Sequence, residues 1–175
     1  RGAYPLSPRF DSIGPLGNSV ACCAAADALM AGDWTGKIAA REISSLRIGV
    51  LKTAVLEGLD ADVAAAYERA LARISKAGAT LVDLEVEVLL EMPGLTIKGG
   101  VVAAEAYAQH RDLIDRKGAD YDPRVRMRLE AAAAISAAEY LSIVKRRDEM
   151  ILRFGAVVQG LSAVVLPTVM IVPPP

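Results

Sequence analysis

L-R-I-G-V at residues 46–50 and T-L-V-D-L-E-V-E-V at residues 80–88 decide the fold class. The first is a short apolar, β-branched run that reads as a strand. The second alternates apolar and acidic residues from Val82 onward, as expected of a strand with one wet face or one lying towards a sheet edge. Between them Asp60 is placed to cap a helix in which Val63, Tyr67, Ala70 and Ile74 recur at helical spacing, and Gly78 stops it. A strand, a helix of about four turns and a second strand with short links form a βαβ unit, expected to be parallel with a right-handed crossover.

Downstream, the same reading continues. Past Pro93-Gly94, Val102, Ala106, Leu113 and Ile114 form the stripe of a helix over Val101 to Lys117, ended by Gly118, and Gly99-Gly100 ahead of it reads as a flexible break. Asp122-Pro123 starts another helix, with Asp as cap and Pro at the first helical position. Ser136-Ala137-Ala138-Glu139 has capping-box spacing and opens a longer helix with the stripe Tyr140, Val144, Ile151, Phe154 and Val158. Gly160 breaks it, and Ala163 to Leu166 reads as a final buried strand closed by Pro167-Thr168. Alternating strands and helices make the class α/β.

Upstream, Tyr4 to Leu16 reads Y-P-L-S-P-R-F-D-S-I-G-P-L, in which Pro5 and Pro8 prevent regular helix and Asp11 to Pro15 form a turn. Ser19 to Ala31 follows as a short, small-residue helix ending at Gly32, expected to pack closely. Asp33 to Ser45 is a surface connection anchored by Trp34.

The chain has 175 residues, 53% of them hydrophobic, enough for one domain with a sizeable core. A net charge of -1 gives no global field for nucleic acid or an acidic membrane surface. No apolar run reaches the roughly 18 residues of a membrane helix. Cys22 and Cys23 are adjacent, so reduced, buried thiols in a cytoplasmic protein are expected. No Cys/His set has metal spacing, no G-x-S-x-G elbow is present and no G-x-G-x-x-G follows a strand, so no metal or cofactor is expected. Arg124, Arg126 and Arg128, with Lys145, Arg146 and Arg147, are interrupted by acidic neighbours and read as solvated helix faces, not a nucleic-acid footprint. Asp11 reads as a carboxylate that satisfies backbone N–H groups in its turn.

The opening stretch resembles the P-L-S-x-x-x-D-x-I-G-P-L segment of the amidase-signature family, serine hydrolases that cleave carboxamides. L-R-I-G-V, G-A-T-L-V-D-L-E-V, E-A-Y-A-Q-H-R, Y-D-P-R-V-R-M-R-L, I-S-A-A-E-Y-L and A-V-V-L-P-T-V follow in the family's order, so the resemblance covers essentially all residues. It implies a middle portion of the family's catalytic domain: an incomplete α/β/α layered domain over 1–175 with a mixed sheet and several long helices. The family's serine nucleophile, second serine on a cis peptide bond and lysine base lie upstream of the matching segment, and only Arg1, Gly2 and Ala3 precede it here. The resemblance therefore implies hydrolysis of carboxamide C–N bonds by the complete parent, and no catalysis by this chain alone. Two other readings stay open: a non-catalytic remnant or partner-binding module, and part of a glutaminase subunit of a tRNA-dependent amidotransferase. Unfinished sheet edges would favour homo-oligomers.

Within the resemblance, Asn18 stands where the family has Arg, and Cys22 and Ser162 stand where it has Asp. The helix carrying Glu105, Tyr107, His110 and Arg111 borders the family's acyl pocket, so these four are the candidate substrate-binding residues. An arginine there could grip a substrate carboxylate by a two-pronged hydrogen bond.

Overall fold

A computed structural model describes residues 4–36 and 40–173. Arg1 to Ala3, residues 37–39 of the 33–45 connection and the last two prolines lie outside the described residues. The sheet has three strands in the order β2-β1-β3: β1 is Arg47–Leu51, β2 Thr80–Leu84 and β3 Ala163–Val165. Both pairings are parallel, with Ile48 opposite Leu81 on one side and Ala163 on the other. The second strand does lie at a sheet edge. The mixed sheet implied by the resemblance is not seen among the described strands, because both connections return through helices and so run their strands in one direction.

Helices lie on both faces of this sheet. The amphipathic helix α2, Ala61–Lys76, sets Ala70 and Ile74 near Ile48, and its Tyr67 hydroxyl donates to the Val165 carbonyl at 3.2 Å. On the other face Leu51, Leu84, Val86 and Val88 pack with Met150 and Phe154 of α5, Ala137–Val157. A second, smaller core joins α3, Gly100–Lys117, to α4, Pro123–Ala131, through Ala106, Ile114 and Leu129. The long excursion from β2 to β3 therefore carries its own core beside the sheet.

Local signals set several boundaries. The Asp122 carboxylate accepts from Arg124 N–H at 2.8 Å, and the Ser136/Glu139 capping box at the start of α5 is formed in both directions. Asp60 precedes α2, yet its carboxylate accepts from Val172 N–H at 2.9 Å instead of capping the helix. It thus ties the C-terminal segment to α2. Ser162, where the family has Asp, closes the start of β1: its hydroxyl accepts from Arg47 N–H at 3.2 Å and its own N–H donates to the Arg47 carbonyl.

Other expectations are corrected. Strand β2 stops at Leu84 instead of Val88, because β1 ends at Leu51 and leaves no ladder partner. The Thr53 hydroxyl takes over, accepting from Val86 N–H and donating to Glu85, and the chain turns into 3-10 helix at Glu87. Burial still alternates through Val88, which is why the sequence reads as strand beyond the hydrogen bonds. Strand β3 is half-exposed, and among the described residues it pairs along one edge, with β1. Helix α1, Val20–Ala31, ends at Gly32 as expected but buries no residue. Its apolar side chains surround the axis, so no single face selects the sheet. Cys22 is exposed, Cys23 is half-buried, both are free thiols, and Trp34 is exposed instead of anchoring its connection.

Lys98-Gly99-Gly100 forms a turn with φ of 54°, 85° and 61° in succession. Gly100 at ψ -152° occupies a region open essentially to glycine alone, and a Cβ there would run into the Leu95 carbonyl oxygen. Gly100→Ala is expected to cost about 3 kcal/mol or more. Gly155→Ala, inside α5 with open space around its Cβ position, is expected to stabilise by about 0.5–1 kcal/mol. Urea denaturation of both variants checks this pair of opposite signs.

Glu139 gives a second check. Its carboxyl is held down at about 2, first by the Lys98 hydrogen bond, then by the backbone and side chain of Ser136 and the Lys98 charge. A depressed folded-state value means that this stabilisation is present above the ordinary 4.5 and fades as pH falls towards about 2. Glu139→Gln is therefore expected to melt below the parent at pH 6 and together with it near pH 2 in thermal denaturation.

Candidate functional site

The four candidate residues all lie on α3, but the fold sends them to different places. Glu105 points into a junction between the opening segment and α5. Its Oε2 accepts from the Ser7 hydroxyl at 2.7 Å and from Arg9 N–H at 3.1 Å. Its Oε1 accepts from the Tyr140 hydroxyl at 2.8 Å and lies 3.1 Å from Arg9 Nε. Arg9 Nε also donates to the Tyr140 oxygen at 3.1 Å, so guanidinium, phenol and carboxylate form a continuous chain of polarised bonds.

The Glu105 side chain is 12% exposed and Ser7 only 1%. Burial is the largest single influence on the Glu105 carboxyl and pushes it up. Hydrogen bonds from Ser7, Tyr140 and the Arg9 backbone, then the Arg9 charge, outweigh burial and hold it below the usual range. The Arg9 side chain is 45% exposed, so its charge is screened and the nearly buried hydroxyl donors matter more.

Asp11 shapes the same segment from within. Its two carboxylate oxygens accept from Leu6 N–H and Ser7 N–H, both at 3.0 Å, while the Ser7 carbonyl accepts from Phe10 and Asp11 N–H. Asp11 satisfies backbone N–H groups as expected, but the turn it closes spans residues 7–11, and the expected turn at Asp11 to Pro15 is not formed. Further contacts fasten residues 4–11 down: the Tyr4 hydroxyl donates to the Gln109 carbonyl, and the Arg147 guanidinium lies 4.9 Å over the Phe10 ring.

Tyr107, with Glu105 and Tyr140, lines a cavity of about 320 Å³ walled by Ala133, Ile135 and Ser136. His110 lies elsewhere, its Nδ1 2.7 Å from the Tyr121 hydroxyl and its ring 5.1 Å from that of Tyr4. Arg111 is exposed and pairs with its neighbour Asp112 at 3.3 Å. The structure therefore joins Glu105 and Tyr107 at one cavity and leaves His110 and Arg111 outside it. Across α3 a second cavity of about 460 Å³ lies between Leu6, Val102, Val125, Arg128 and Leu129.

Ser7, Arg9 and Tyr140 were not singled out from the sequence, although two of the motifs carry them. Ser7 and Arg9 flank Pro8 in the opening stretch, and Tyr140 follows the α5 capping box. The signal lay in polar residues at otherwise apolar or rigid positions, whose partners are distant in sequence. In the basic group, Arg124, Arg126, Lys145, Arg146 and Arg147 each pair with a carboxylate. Among the described residues no helix is long and apolar enough to cross a membrane, and no His/Cys/Asp/Glu group could hold a metal.

The sequence profile of the family described as Amidase matches residues 1–175. This chain belongs to the amidase-signature family. It is 32% identical over 157 residues to the 2-amino-5-chloromuconic acid deaminase of Comamonas testosteroni, a match covering 89% of this chain and 33% of the relative. An amidase of Pseudomonas putida is 28% identical over 126 residues, 72% of this chain and 27% of the relative. The crystal structure of an amidase superposes on 99% of this chain with a TM-score of 0.85 at 26% identity, using 39% of its own chain. The urea amidolyase of K. lactis shares the fold over 67% of this chain, with a TM-score of 0.59 at 22% identity and 7% of its own chain. The chain thus spans about a third of the curated relatives it matches.

The family's motifs fall on the elements that build the junction. The P-L-S-P-R stretch supplies Ser7 and Arg9, E-A-Y-A-Q-H-R supplies Glu105, and I-S-A-A-E-Y-L supplies Tyr140. Ser7→Ala removes one donor from a nearly buried carboxylate, and the expected cost at pH 7 is about 1–3 kcal/mol. Because the Glu105 value is depressed, the stabilisation holds above the ordinary 4.5 and is lost as pH falls below it. Urea denaturation at pH 7 and pH 3 is expected to show the Ser7→Ala deficit shrinking in acid.

Proposed function

We propose that this chain is the middle portion of an amidase catalytic domain that hydrolyses carboxamide C–N bonds. In this reading the serine nucleophile, bridging serine and lysine base belong to polypeptide outside these 175 residues. The observation that carries it is the family match over residues 1–175 in a chain that spans only about a third of its curated relatives. The bare helix α1 and the unpaired edge of β3 support it, since both leave apolar or hydrogen-bonding surface for further structure to cover.

The chemistry explains why the missing groups matter. A serine hydroxyl is a weak nucleophile until a neighbouring base removes its proton, and a desolvated neutral lysine relayed through a second serine can do so. Backbone N–H groups of the nucleophile loop would stabilise the oxyanion. This chain's part is to hold that loop's downstream connector and to wall the substrate pocket, with Tyr107 and Glu105 at the 320 Å³ cavity. The name of the Comamonas relative, a deaminase of 2-amino-5-chloromuconic acid, supports C–N cleavage on an acid-bearing substrate, there at an amino-bearing carbon and not at a carboxamide.

The purified 175-residue chain is expected to release no ammonia from simple carboxamides and to self-associate on size exclusion. Turnover that tracks the protein peak would contradict the reading. The coding region ahead of Arg1 is expected to encode a Ser/Gly-rich stretch preceded by a separated lysine. A stop codon in frame at that boundary would favour a non-catalytic remnant.

A further inference from the structure

Residues 4–11 behave as a strap, and one nearly buried carboxylate takes three of its polar contacts to the rest of the chain. Leu6 and Ser7 N–H bind Asp11 within the strap, and Phe10 and Asp11 N–H bind the Ser7 carbonyl. The strap is thus a rigid turn in its own right. It joins α3 through Glu105, which receives the Ser7 hydroxyl, Arg9 N–H and Arg9 Nε, and it joins α5 through Arg9 Nε to Tyr140 and Arg147 to the Arg9 carbonyl, while Tyr140 in turn donates to Glu105. We propose that Glu105 is the positioning residue of the amide-hydrolysing centre, docking the strap between α3 and α5 and so fixing the loop that precedes it.

This inference rests on the proposed amidase reading, in which the nucleophile loop runs directly into the strap. Glu105 is suited to the role by geometry. A carboxylate offers acceptor sites on two oxygens, and here one takes two strap donors while the other takes Tyr140 of α5 and the Arg9 side chain. One residue of α3 thereby locks two other elements. Its neighbours on the strap add directional contacts that a released strap would lose, namely Tyr4 to Gln109 and Arg147 over Phe10. Glu105 also forms part of the wall of the Tyr107 cavity, so strap position and pocket shape are coupled through one group. A displacement of about 1 Å in a reacting group is enough to cost about a hundredfold in rate.

The test uses the complete amidase domain that contains this chain, with variants Glu105→Ala and Glu105→Gln. Glu139→Gln serves as the control, because it breaks the Lys98 bridge to α5 and removes none of the strap's hydrogen bonds to Glu105. Hydrogen exchange at Arg9, whose N–H donates to Glu105, and steady-state kinetics on a simple carboxamide are measured together. The expected result is faster exchange at Arg9 but not in β1, with kcat down about tenfold or more and KM within about threefold for Glu105→Ala. Glu105→Gln, which keeps one acceptor oxygen, is expected to fall between Glu105→Ala and the parent, and Glu139→Gln is expected to keep kcat. Unchanged kcat in Glu105→Ala, unchanged Arg9 exchange, or an equal loss in Glu139→Gln would overturn the inference while leaving the amidase reading intact. A parent domain that hydrolyses no amide would refute the amidase reading itself, and this inference with it.

Discussion

The Glu105 carboxylate is the constraint on which the arrangement of this chain depends. It is nearly buried, and an ionised carboxylate withdrawn from water is tolerated only when its oxygens are supplied with donors. Those donors come from elements far apart in sequence: Ser7 and Arg9 on the opening strap and Tyr140 near the start of α5. The cost of burying the charge is offset only when all three elements stand in one relation to each other. Polar satisfaction therefore fixes where the strap goes, together with Leu6 and Phe10, which lie in apolar clefts beside Leu129 and Met150. The apolar cores under the sheet and between α3 and α4 supply stability.

The sequence made the α/β class legible because period and punctuation agreed. Val63, Tyr67, Ala70 and Ile74 set the α2 face, Ser136 and Glu139 marked the start of α5, and Asp122-Pro123 marked α4. It misled where local pattern outran its partner. Thr80 to Val88 alternates throughout, but hydrogen-bonded strand needs a neighbour, and β1 stops at Leu51. Trp34 and the Cys22-Cys23 pair look like core residues by type, but burial depends on what surrounds them, and among the described residues no element packs around α1. Glu105 and Tyr107 share one cavity, but spacing along one helix could not show that His110 and Arg111 turn away from it. Ser7 and Tyr140 became visible only through contacts that cross most of the chain.

The family membership and the geometry bear on each other. A chain that matches the amidase family along residues 1–175, yet spans about a third of its curated relatives, carries surfaces with no partner of its own. Helix α1 is apolar on most sides, with Asp27 as its one charged residue, a pattern that suits a helix largely covered by other structure. The strap is the opposite case, a short segment whose Ser7, Arg9 and Asp11 side chains already have partners within the chain. Together they divide the chain into a finished junction around Glu105 and an unfinished face around α1. That division is what the proposed place within a larger catalytic domain accounts for.

The most direct test of the central interaction is a pH titration of the Glu105 side-chain carboxyl by carbon-13 NMR on selectively labelled protein. Donors from Ser7, Tyr140 and Arg9 are expected to bring the midpoint below the ordinary value of 4.5. A midpoint at or above 4.5 would mean that burial prevails over the hydrogen bonds, and it would contradict the account of the strap as held by an ionised Glu105.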